Sequence, residues 1–377
     1  MQAIPLEDDY SEKAWLELLQ FGSGARVQHT LEWKRAVEEA YPQLKPAYYL
    51  VERGKEDYFG FASFFCKSAL FGNRAVSLPF VDYGGFVGSP SSEGTTLLFS
   101  KLRARFSADK LEVRLSEHSE VFKESEKALL EHGFVEQKHL GRQVAVVELD
   151  SEKKMWEGFD KHTRNDVRKA GKSGLLLEFV DSQKQLDSFY QLYFRAMKRF
   201  GTPQHSKKFF ECLWNNFGGW RTNSPFHGFN CYKDGRLAGS LAMLAFNGYA
   251  QVFFSVSEPE LREFRPNDFL YWQALRAANE AGAKFVDLGQ VQKDAPAGSH
   301  AAGIFEFKKK WGAKLFERPV YYFGYGNKNN FVQGQSSEAE AKTGGNEKLR
   351  KLAQVWKKLP DPLVRKLGPW LCRQRCA

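Results

Sequence analysis

Phe229-Asn230-Cys231-Tyr232, the turn Lys233-Asp234-Gly235, and the run Leu237-Ala238-Gly239-Ser240-Leu241-Ala242-Met243-Leu244-Ala245-Phe246 read as a hairpin, two apolar strands around residues that tolerate a tight turn. A strand over 249–256 follows, then a loop, a helix over 266–281, a strand over 284–288, a helix ending near Trp311 and a strand over 315–325. The first half runs in a similar order: strands over 47–52 and 58–66 around the turn Gly54-Lys55-Glu56-Asp57, a strand over 73–79, a helix over 92–105 and a strand over 110–115. A helix over 121–131 and a strand over 143–149 complete it. Two copies of one unit account for both halves, and the fold class expected is α/β of the α+β kind, with a mixed sheet in each of two tandem domains, 1–150 and 151–326.

Outward from that repeat, 377 residues suit two domains, and 42% hydrophobic content with 33 Phe supplies two cores and excludes a disordered chain. No run reaches the roughly 18 apolar residues of a membrane span, and residues 1–12 lack a secretory signal, so the expected location is cytoplasmic. The five cysteines are scattered, which reads as reduced thiols, and the eight histidines show no ligand spacing. No metal site, bound cofactor, nucleophile elbow or phosphate-cradling glycine motif is expected. Residues 327–345 have the composition of a flexible linker. Residues 346–377 form a basic amphipathic helical tail: nine Lys and Arg against Glu347 and Asp361 leave about +7 of the chain's +10 there. Such a tail suits peripheral contact with anionic lipid, worth about 1 kcal/mol per base near the surface, and the same bases suit tRNA.

Three segments and one carboxylate can carry chemistry. In Phe307-Lys308-Lys309-Lys310-Trp311-Gly312, a positioned ammonium can steady an oxyanion or hold a phosphate, while the plain alternative is a solvated helix end capped by glycine. Arg164 and Arg168 share a helical face that suits a donor phosphate or an ordinary basic surface. The loop Val81-Asp82-Tyr83-Gly84-Gly85 suits a polar group or amine, or simply a turn. Asp287 ends the strand Phe285-Val286-Asp287-Leu288-Gly289, where open α/β sheets place ligand-contacting groups, and is a candidate base.

The ordered set Arg164-Asn165-Asp166-Val167-Arg168-Lys169-Ala170, Met197-Lys198-Arg199-Phe200-Gly201-Thr202-Pro203, Pro266-Asn267-Asp268-Phe269-Leu270-Tyr271-Trp272, Phe285 to Gly289 and the Lys308 segment resembles the Fem-type peptidyltransferase branch of the GNAT acyltransferases, over roughly residues 25 to 325. The resemblance implies a tandem GNAT fold that passes an aminoacyl group from aminoacyl-tRNA to an amine of a peptidoglycan precursor without a metal. It implies Lys308 as the key lysine and a cleft between the halves, with Trp33, Asp82, Tyr83 and Arg199 on the acceptor side. The chain departs from the family in having no coiled-coil insertion and Val37 where some members carry an acceptor-binding lysine; its Val81 to Gly85 loop is closer to envelope or exopolysaccharide N-acyltransferases.

For the donor, GNAT proteins that use acyl-CoA cradle its pyrophosphate on glycine-rich amides at a helix start. Here the loop is Arg262-Glu263-Phe264-Arg265-Pro266-Asn267-Asp268, without glycine, which moves the expected donor away from CoA without fixing what replaces it, aminoacyl-tRNA and acyl-CoA both staying open, and leaves Arg265 and Asn267 as phosphate-holding candidates for either donor. The competing readings are a small-molecule N-acetyltransferase using acyl-CoA and a non-catalytic envelope-assembly adaptor that binds through the old acyl cleft.

Overall fold

In the computed structural model, which describes residues 1–54, 57–106, 108–137, 142–219, 224–324 and 345–376, the opening hairpin forms as read. Asp234 and Gly235 take φ of 49° and 75°, the left-handed pair that a tight two-residue turn requires. In chain order the elements are β1 (Gln2–Pro5), α1 (Asp9–Phe21), α2 (Leu31–Ala40), β2 (Leu44–Gly54), β3 (Asp57–Ser68), β4 (Gly72–Val76), β5 (Gly85–Val87), α3 (Ser92–Arg105), β6 (Lys110–Arg114), α4 (Phe122–Glu131), β7 (Val135–Glu136) and β8 (Arg142–Glu148). There follow α5 (Glu152–Gly158), α6 (Lys161–Lys172), β9 (Leu175–Phe179), α7 (Gln183–Phe200), α8 (Lys207–Asn216), β10 (Phe226–Lys233), β11 (Arg236–Phe246), β12 (Tyr249–Ser257), α9 (Pro266–Glu280), β13 (Phe285–Gln292), α10 (His300–Lys309), β14 (Lys314–Glu317), β15 (Val320–Gly324), α11 (Gly345–Lys358) and α12 (Asp361–Arg375). Lys55 and Glu56 of the expected turn, and the expected linker apart from Gly345, lie outside the described residues.

Two mixed sheets result. One runs β1-β2-β3-β4-β6-β15-β7 with β5 beside β3, the other β14-β8-β13-β12-β11-β10-β9. Each has a parallel pair, β4 with β6 and β12 with β13. The sheets exchange strands across the expected boundary at 150. β8, read as completing the first half, lies between β13 and β14, and β15 lies between β6 and β7. The single strand expected over 315–325 is therefore two, parted at Arg318-Pro319, where proline offers no N–H to a ladder. Residues 152–172 are likewise divided, into α5 and α6, because Asp160 caps a fresh start by accepting from the Thr163 amide at 2.6 Å.

The largest core cluster joins both halves: Trp15, Trp33, Phe64 and Phe80 pack with Phe189, Tyr193, Phe209 and Phe226. Trp356, Val364 and Cys376 of the tail belong to the same cluster, so the tail is docked by one face. Gly201 and Gly368 let it sit close. A Cβ on Gly201 would lie 2.8 Å from Ala353, and one on Gly368 would run into the Gln204 side chain, whose Nε2 donates to the Val364 carbonyl at 2.8 Å. Gln374 Oε1 accepts from Ser68 Oγ (2.8 Å) and the Ala69 amide (2.9 Å). Docking also brings Cys376 to β3, where it is joined to Cys66 in a disulfide, which corrects the reading of all five cysteines as reduced thiols. A separation of 310 residues hides that pairing from a reading of spacing.

Candidate active site

The site forms where β12 and β13 part. Their parallel pairing covers Tyr249↔Phe285, Ala250↔Val286 and Gln251↔Asp287. Past that point Val252 to Ser257 on one strand and Leu288 to Gln290 on the other line a cavity of about 810 Å³. β13 also bulges against β8 between Asp287 and Gln290, with Gly289 at φ 85°. The bulge re-aims two backbone groups. The Gly289 amide turns back to Asp287 Oδ1 at 2.6 Å, and the Gln290 carbonyl accepts from Lys308 Nζ at 3.0 Å. A side chain at Gly289 would put its Cβ 3.2 Å from that ammonium, so a glycine suits the position twice over.

Lys308 is in the last turn of α10, half-buried and lining the cavity. Burial lowers its pKa, opposed by the negative charges of Asp287 and Asp82. Asp287 is fully enclosed, and its second oxygen accepts from the Tyr83 hydroxyl at 2.7 Å. Burial and then the Asp82 charge push its carboxyl up to about 6, against the pull of Tyr83, Gly289 and Lys308. With its own proton given to Asp287, Tyr83 Oη accepts from the Tyr249 hydroxyl 3.0 Å away, and the Arg26 guanidinium lies 4.1 Å above the Tyr249 ring. Both Asp287 oxygens are thus occupied, it has no exposed surface, and it is not among the residues lining the cavity. The carboxylate-bearing residue that lines the cavity is Asp82, steadied by Arg318 Nη1, which donates to its main-chain carbonyl at 2.7 Å.

Of the other expected residues, Arg199 and Asn267 line the same cavity. Arg199 Nη2 donates to the Ser257 carbonyl at 3.0 Å, and Asn267 Oδ1 is buried without a partner. Trp33 does not reach it: it is fully buried in the core, edge-on to Phe209 and Phe253. Arg164 and Arg168 stay on the outer side of α6, bonded to the Glu157 carbonyl and Asn165 Oδ1, and neither is among the cavity's lining residues. Arg265, the residue before α9, pairs with Asp166 at 3.1 Å. Lys310, read as part of a solvated face, is half-buried between Asp166 and Asp268, linking α10 to α6 and α9. Sequence reading passed over Arg262, Tyr271 and Gln290, which line the cavity. Arg262 had a signal, since it stands in the loop that leads to α9. A second chamber of about 250 Å³ adjoins the first, sharing Asp82, Met197 and Val252 to Phe254, with His205 and the tail's Leu371 and Cys372 in its wall.

Residues 158–309 match the family model of a GNAT acetyltransferase domain. A stretch of 82 residues is 33% identical to lipid II:glycine glycyltransferase of Staphylococcus aureus, covering 22% of this chain and 19% of that one. A crystal structure of FemX superposes with a TM-score of 0.71 at 14% identity, over 89% of this chain and 100% of the other. The chain thus carries a GNAT acyltransferase domain within a fold shared with FemX. A tandem GNAT protein from the clavulanic acid biosynthesis pathway shares the fold at a TM-score of 0.56 and 14% identity, over 87% and 99% of the two chains. The chain spans about a fifth of the length of the curated relatives it matches. Among its described residues, no helix is long and apolar enough to cross a membrane, and no cluster of three His, Cys, Asp or Glu is placed to hold a metal ion.

Proposed function

We propose that this protein is an aminoacyltransferase that moves an aminoacyl group from aminoacyl-tRNA to an amine of a peptidoglycan or other cell-envelope precursor at the inner face of the membrane. The observation that carries the reading is a half-buried ammonium, Lys308, aimed into a wedge between diverging strands at the junction of two GNAT units. The glycyltransferase likeness supports the precursor as acceptor. The glycine-free turn before α9 favours an ester over CoA as donor, with Arg262, Asn267 and Arg199 nearest to hold donor phosphate.

In this reading the acceptor amine lies against Asp82, which takes its proton, and the nitrogen attacks the ester carbon. The C–N bond forms, negative charge gathers on the carbonyl oxygen, and the C–O bond to the tRNA ribose breaks as the released hydroxyl takes up a proton. An ammonium has three donors, and Lys308 spends one on Gln290, leaving two for the oxyanion. Asp287, Tyr83 and Gly289 fix the bulge that aims it.

Label transfer decides the matter. The protein is incubated with an envelope extract and either radiolabelled aminoacyl-tRNA or radiolabelled acetyl-CoA. Labelled envelope product from aminoacyl-tRNA, reduced at least tenfold by Lys308→Ala, is the expected result. Transfer from acetyl-CoA alone overturns the donor, and transfer from neither overturns the enzyme reading.

A further inference from the structure

We infer that the outer face of the docked C-terminal helix pair binds an anionic lipid bilayer. α12 has two apolar stripes. Val364 and Cys372 face the body and are buried. Leu363, Leu367 and Trp370, spaced to share one helical face, are 48%, 40% and 39% exposed. On α11, Leu352, one turn before the buried Trp356, is 65% exposed, and Val355, next to that tryptophan in sequence, is 58% exposed. Large apolar side chains grouped in this way on a surface mark a contact. Lys357, Lys358 and Lys366 stand exposed among them.

That mixture selects the occupant. An interfacial helix inserts leucine and tryptophan at the headgroup boundary while lysines meet lipid phosphates. Nucleic acid would engage the lysines but leave the leucines in water. A second copy joined through the same face would set lysine against lysine. The expected free amphipathic tail is thus refined to a fixed surface, seated on the body by Trp356, Val364 and the disulfide to Cys66. Its place matters, because Leu371 and Cys372, adjoining Trp370, wall the smaller chamber. A bilayer on the outer face of α12 lies about one helix diameter, roughly 10 Å, from that chamber.

The inference is independent of the transferase reading, since lipid binding is measured without turnover. The full chain is floated with vesicles of phosphatidylcholine, with or without 30% phosphatidylglycerol. We expect flotation with the anionic vesicles, at least tenfold weaker on neutral ones, and weakened again by salt. Leu363→Gln, Leu367→Gln and Trp370→Gln together, and separately Lys357→Glu, Lys358→Glu and Lys366→Glu, should each reduce it at least tenfold. Leu130→Gln on α4, a residue 51% exposed elsewhere, should not. Circular dichroism melts verify that each variant folds; the lysine set changes only exposed side chains and keeps the test open if the apolar set does not fold. No flotation of the unaltered chain, or equal flotation of the folded lysine variant, overturns the inference, as does binding of tRNA through this face without vesicle binding.

Discussion

Lys308 holds its proton less tightly than an ordinary lysine because burial outweighs the two nearby carboxylates. If its charged form steadies the oxyanion, kcat/KM falls on the alkaline side before the usual lysine range is reached, and Lys308→Arg, which does not titrate there, removes that limb while keeping part of the rate. A pH–rate profile of the two proteins checks it. Asp287 moves the other way, from 3.8 to about 6. Between about pH 4 and pH 6 the folded chain keeps a proton that the unfolded chain has released, so this group's contribution to stability falls as pH rises through that window. Asp287→Asn should flatten the fall, and denaturant titrations should show the variant gaining on the parent at pH 7 relative to pH 4. That the lysine stands at the cavity was legible from the motif of the family the sequence resembles, and the end-of-strand position of Asp287 marked its place beside it. What they touch was not, since Tyr83 and Asp287 meet across 204 residues. Trp33 was misplaced because a core tryptophan and a cleft tryptophan on an amphipathic helix give the same local pattern.

Helices and strands obey local chemistry wherever it is strong. Thr30 caps α2 and accepts from the Trp33 amide, Asp234-Gly235 turns the hairpin, and α3 spans Ser92–Arg105 as its pattern predicts. Pairing partners are set by distant contacts, so the bulge in β13 and the splitting of 315–325 between two sheets could not be read from periodicity. The short β1 and β7 and the whole of α8 also went unread, α8 because its lysine-rich first turn masks a buried Phe209-Phe210 pair behind the Ser206 cap. At this scale the tail's seat is the testable part. Gly368→Val forces a side chain into Gln204 and should loosen α12, giving cleavage within 345–376 at least tenfold faster than in the parent during limited proteolysis of the reduced proteins.

For the whole molecule, exchange of β8 and β15 makes the halves interdependent. Residues 1–150 alone carry a strand with no sheet to join and lack the one that lies between β6 and β7. We expect neither 1–150 nor 151–377 to show a cooperative melt by circular dichroism, and the two together to recover one. The shared cluster from Trp15 to Phe226 acts in the same direction, since each fragment would expose its part to water. The exchange also bears on how the chain is made. A protein emerging from the ribosome ordinarily lets its first domain fold while the rest is still being translated. Here β6 stands with an open edge until residue 324 has been added, so the first sheet is completed by the last of the described strands, and the nascent chain must keep that edge from pairing elsewhere while the roughly 200 residues between β6 and β15 are made.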